Sequence, residues 1–136
     1  MSHSLAIVVF GALASAAPLL AARADEVSDG RQLFLQYCAS CHGPQGDGNG
    51  PVAKVVIPPP PDLRRLASRY GRPLPADRLA AYIDGRADVA AHGEREMPVW
   101  GERFSEAVPE DSHGEPIARR RVAALVAYIE SLQAPQ

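Results

Sequence analysis

The chain has 136 residues, a formal net charge of -2, 46% hydrophobic residues and 22% charged residues, a balance that fits one globular domain and excludes wholesale disorder. So nearly neutral a chain lacks the basic footprint of a nucleic-acid binder. Thirteen prolines and eleven glycines, with few alternating apolar stretches, predict an all-α fold of helices joined by ordered loops.

At the amino end, Leu5 to Leu20 is an almost unbroken apolar run followed by Ala22-Arg23-Ala24, which fits a small-x-small cleavage site. His3 stands where such leaders usually carry a Lys or Arg. The run falls short of the roughly 20 residues needed to cross a bilayer. The expectation is therefore a cleaved signal peptide over residues 1–24 and a single domain over 25–136, exported to a bacterial-type periplasm. Membrane attachment is expected only if the leader stays uncut.

Asp25 to Tyr37 reads as the first helix, with Ser28 as its N-cap and Leu33, Phe34 and Tyr37 sharing a face. It leads directly into Cys38-Ala39-Ser40-Cys41-His42. Gly43 to Gly50 then forms a tight loop, and Pro51 to Pro61, ending in four consecutive prolines, excludes regular helix because proline has no N–H to donate. The glycine loop is not a phosphate cradle, since no strand precedes it and no Gly-Lys-Ser/Thr follows.

Asp62 to Tyr70 and Pro75 to Asp84 read as short helices closed by Gly71 and Gly85. Ala87 to Arg103 contains Met97-Pro98-Val99-Trp100-Gly101, rich enough in breakers to predict an ordered loop. Glu102 to Gly114 is acidic and turn-rich, hence exposed. From Pro116 to Leu132, Val122, Leu125, Val126, Ile129 and Leu132 recur at spacings of three and four, the mark of an amphipathic last helix. Arg119, Arg120 and Arg121 on this helix read as a solvated face.

Cys38-x-x-Cys41-His42 carries the chemistry, because this spacing is associated with covalent haem attachment. Cysteines three apart on one helical turn point the same way and can add to the two vinyl groups along one haem edge. The histidine that follows can coordinate iron through one nitrogen while the other donates a hydrogen bond that orients the ring. A covalently held group would also supply apolar surface that a small domain with only 6% aromatic residues is short of. The competing readings are weaker. A thioredoxin-like pair needs a strand–helix setting, and a disulfide across so short a spacing leaves His42 unexplained. Zinc would require four ligands, and only His92 and His113 remain.

The sequence resembles the class I cytochrome c family from Gly30 to Phe34, through Cys38 to His42 and Gly50-Pro51, to Met97-Pro98 and Ala127-Tyr128-Ile129. The resemblance implies a helical shell around one haem c, with the first and last helices crossing near Gly30, Phe34 and Tyr128. It also implies thioethers at Cys38 and Cys41, His42 as proximal ligand, Met97 as distal ligand, and a carbonyl of the proline segment, that of Pro51, accepting the His42 hydrogen bond. Met97 is the only methionine left once Met1 departs with the leader, and His92 is its rival. A second imidazole would lower the reduction potential relative to a thioether. Trp100 resembles an aromatic that packs beside the haem, though a plain core role suits it equally.

With both axial positions filled by side chains, iron has no open site for substrate, so the expectation is an electron-transfer protein and not a catalyst. Three roles follow. One is a one-electron carrier, another is a relay subunit of an exported dehydrogenase or oxidase complex, and the third is a haem sensor or weak peroxidase with a labile Met97. Redox proteins are the expected partners. Lys54 is the only lysine, so the chain lacks the lysine ring of mitochondrial-type carriers and strong steering toward an acidic partner is not expected.

Overall fold

In a computed structural model, residues 17–86, 97–107 and 114–133 are described. The elements run α1 Ala17–Tyr37, α2 Ala39–His42, α3 Leu66–Tyr70, α4 Ala76–Asp84, α5 Trp100–Glu106 and α6 Gly114–Ser131, with single 3-10 turns at Ala53–Val55 and Leu63–Arg65. No strand occurs among the described residues, and the all-α expectation holds.

The fold is organised by the crossing of α1 and α6. Gly30 is buried at the crossing, where a Cβ would collide with the Ala124 carbonyl and come within 2.9 Å of Tyr128 Cβ. Glycine here lets the two backbones touch. One turn later, Phe34 is fully buried with its ring centroid 5.2 Å from that of Tyr128, a tilted arrangement favoured by the ring quadrupoles. Around this contact, Val122, Leu125, Val126 and Ile129 of α6 join Leu63, Leu66, Ile83, Trp100 and Phe104 in one core. The apolar spacing of α6 is thus the face that closes the domain.

α3 and α4 end as expected. The Asp62 side chain accepts a hydrogen bond from the Arg64 N–H at 3.0 Å, and Gly71 and Gly85 follow their helices at positive φ.

Two boundaries differ from expectation. Ser28 is not an N-cap but lies inside α1, which extends back to Ala17 through the alanine-rich stretch across the expected cleavage point. Alanine and leucine propagate a helix well, and no breaker interrupts them after Pro18. The second difference is α5, where a loop is expected. Pro98 precedes this helix instead of interrupting it, Val99 is extended, and Gly101 is tolerated because it is packed against a neighbouring ion pair. Residues 87–96, including His92, and residues 108–113, including His113, lie outside the described residues.

The arginine cluster of α6 divides. Arg119 is exposed and pairs with Glu115 at 3.4 Å, whereas Arg121 is half-buried, lying 5.6 Å from the Phe104 ring centroid.

Candidate functional site

α1 delivers the motif. The Cys38 N–H donates to the Phe34 carbonyl at 2.9 Å, and the N–H groups of Cys41 and His42 then donate to the Cys38 carbonyl at 3.2 and 2.9 Å. Cys38, Cys41 and His42 therefore sit on the single turn made by α2 and its N-cap Cys38, and both cysteines are free and half-buried. Burial, with a smaller contribution from Cys41, pushes the Cys38 thiol up to about 12, so Cys38 stays protonated at neutral pH.

A short helix leaves its last carbonyls without internal partners, and the glycine loop supplies them. The N–H groups of Gly48, Gly50 and Val52 donate to the carbonyls of His42, Cys41 and Ser40 at 2.8, 3.1 and 3.1 Å. The chain after the motif thereby doubles back along the turn that carries it. Gly50 must be glycine, since a Cβ would overlap the Ser40 carbonyl and come within 2.6 Å of the Cys41 backbone.

His42 Nδ1 lies 3.4 Å from the Pro61 carbonyl oxygen, a long hydrogen bond in which the ring must donate, leaving the Nε2 lone pair for a metal. The acceptor expected at Pro51 is thus corrected to Pro61. Around Pro51 the backbone presents the N–H donors of Gly50 and Val52 to α2, and a carbonyl reaches the imidazole only at the end of the proline run. The chain immediately after Pro61 is fastened, because Leu63 N–H donates to the Gly46 carbonyl at 2.8 Å and Arg64 forks onto Asp62 with two bonds of 2.9 Å. Burial lowers the His42 pKa from its ordinary 6.5, outweighing the opposing effect of the Pro61 bond. The imidazole is therefore neutral at neutral pH, as iron ligation requires.

Met97 is half-buried and packs against the core, three residues before α5. Trp100 is buried and forms an aromatic group with Tyr37 and Phe104, at centroid separations of 5.6 Å for Tyr37–Trp100, 5.3 Å for Tyr37–Phe104 and 5.6 Å for Trp100–Phe104. Tyr37 immediately precedes Cys38, so this group joins the attachment turn to the helix that follows Met97. Tyr37 and Phe104 were not marked as site residues by their sequence context, and helical spacing alone gives no sign that they meet.

Val52 and Val55, on the stretch that contacts α2, are 40% and 80% exposed, and Ile57 shortly after them is 81% exposed. Two free thiols on one turn, a neutral imidazole with one nitrogen already bonded, and an apolar surface alongside fit haem c well. Cys38 and Cys41 could anchor it, while His42 and Met97 could hold its iron.

The family model described as cytochrome c oxidase, cbb3-type, subunit III matches residues 25–129. The chain belongs to this family. Its domain is of the class I c-type cytochrome kind, and membership carries covalent haem and haem-based electron transfer. No curated protein and no solved structure matches the chain. No helix among the described residues is long and apolar enough to cross a membrane.

Proposed function

We propose that the protein is a monohaem c-type cytochrome that carries single electrons in an exported electron-transfer chain, its iron held by His42 and Met97. The observation that carries this reading is the α2 turn, with Cys38 and Cys41 on one turn and His42 Nδ1 bonded to Pro61. When bound, haem supplies the one-electron iron couple. Cys38 and Cys41 fix its edge, and the Pro61 carbonyl fixes the orientation of the imidazole. Met97 contributes a thioether, which favours the ferrous state and raises the potential. The aromatic group of Tyr37, Trp100 and Phe104, which adjoins Cys38 in the chain, would keep water from a haem held there and so favour the less charged iron in the same sense.

Oxidised and reduced absorption spectra of the exported protein test this. A c-type spectrum that survives acid-acetone extraction is expected, with the weak far-red sulfur-to-iron band in the ferric form. Extractable haem would refute covalent attachment, and covalent haem without the band would shift the sixth ligand to His92. Carbon monoxide binding to the reduced protein at neutral pH would favour the sensor or peroxidase role.

The family description favours a second reading, in which the chain relays electrons as a subunit of an oxidase complex. Such a role predicts a lasting interface. Co-elution with an oxidase on gel filtration would support it, and migration as a monomer in the presence of the oxidase would support the diffusing carrier. Export with cleavage after Ala24 is part of the proposal, and the amino-terminal sequence of the mature protein checks it.

A further inference from the structure

Met97 is carried on the short stretch Met97-Pro98-Val99 that enters α5, so its position depends on what fixes the first turn of that helix. Asp84, at the end of α4, and Arg86 meet there. Arg86 Nε and Nη2 donate to Asp84 Oδ1 and Oδ2 at 2.8 and 2.7 Å, and the Arg86 N–H donates to Oδ1 at 3.2 Å. The same guanidinium reaches α6, donating to both carboxylate oxygens of Glu115, the Nη2–Oε1 bond being 3.2 Å. One side chain thus forks onto carboxylates from two helices.

α5 rests on this cluster. Gly101 is buried, and a Cβ there would overlap Asp84 Oδ2 and lie 2.5 Å from Arg86 Nε. The backbone of the first α5 turn therefore lies directly on the ion pair, an approach that a side chain at 101 would disturb by displacing Asp84 and Arg86. Exposed ion pairs add little to stability, and the Arg86 and Glu115 side chains are 33% and 45% exposed. A planar guanidinium bonded on two edges nevertheless has one geometry, which suits it to locating neighbouring backbone.

We propose that Arg86 is a positioning residue for Met97. The Asp84–Arg86–Glu115 cluster, seated under Gly101, locates the first turn of α5 and with it the thioether that ligates iron. This rests on the His42/Met97 reading above.

The test compares ferric holoprotein of the wild type, Arg86→Gln, Arg86→Lys and Arg119→Gln for the intensity of the far-red sulfur-to-iron band and for the affinity of imidazole, a ligand that must displace Met97. Covalent haem content and helical circular dichroism are followed in parallel. Arg86→Gln is expected to keep its haem and helicity, lose band intensity and bind imidazole at least about tenfold more tightly, the scale on which supporting groups around a metal ligand act. Arg86→Lys, which keeps the charge but not the fork, should fall between Arg86→Gln and wild type. Arg119→Gln, which removes only the exposed pair with Glu115, should match wild type. A wild-type protein without the band would overturn Met97 ligation and this proposal together. A wild type with the band, and an Arg86→Gln variant equal to it in band and imidazole affinity, would overturn the role of Arg86 alone. An equal effect of Arg119→Gln would do the same by showing a general charge effect.

Discussion

Gly50 and Pro61 each hold the attachment turn, one at the Cys41 carbonyl and the other at the His42 ring. Because a side chain at position 50 has no room against Ser40 and Cys41, Gly50→Ala must push the returning loop off α2. A loss of roughly 1–3 kcal/mol is expected, with a lower yield of covalent haem, and denaturant unfolding together with haem content measures both. An unchanged midpoint would show that the loop yields without cost. Met97→Ala should keep its thioethers yet bind imidazole far more readily, as titration of the ferric protein would show. That the two thiols and the imidazole share one turn was legible in the sequence, because thiol spacing and an adjacent imidazole are properties of a contiguous pentapeptide. The acceptor for His42 was not legible, since any carbonyl in the proline segment has the same chemistry. Only the way Leu63 and Asp62 fasten the end of that run selects Pro61.

Among the helices, the α1–α6 crossing bears most of the packing around Phe34. Phe34→Ala should cost about 3–5 kcal/mol, read as a fall in the unfolding midpoint, because the backbone contact at Gly30 prevents the helices from closing over the void. Removing the cap with Asp62→Ala should cost about 1 kcal/mol. Its more specific effect is on His42, through the Pro61 carbonyl next to it, and a shifted reduction potential in the still-folded variant would register it. α3, α4 and α6 were legible from capping glycines and apolar periodicity, both of which are local signals. α5 was not, because Pro98 and Gly101 look like breakers until their neighbours are known. The proline lies just ahead of the helix, and the glycine packs against Asp84 and Arg86, which come from a different part of the chain.

Over the whole molecule, hydrogen-bonded carboxylates give the response to acid its direction. Hydrogen bonds from the Asn49 side chain to Asp47, from Arg64 to Asp62 and from Arg86 to Glu115 are the largest causes that hold these carboxyls below their ordinary values of 3.8, 3.8 and 4.5. The unfolded chain then binds protons that the folded chain refuses, so the stability these groups contribute is fully present above the ordinary carboxylate range and is lost as pH falls through the lowered values. The thermal midpoint of the holoprotein should accordingly hold from neutral pH down to about 4.5 and decline below it. An onset near pH 6 would assign the acid transition to a histidine instead.

The crossing of α1 with α6 also bears on the order of events during biosynthesis. Phe34 packs on Tyr128, a partner about 90 residues further along the chain, and non-local contacts of this kind form only when both segments exist. Cys38, Cys41 and His42 emerge with the first helix, long before the residues that close the core. For that interval the two thiols belong to an open chain, and on the proposed function they would be accessible to whatever joins them to haem, before the burial that later shields Cys38 opposes the reaction.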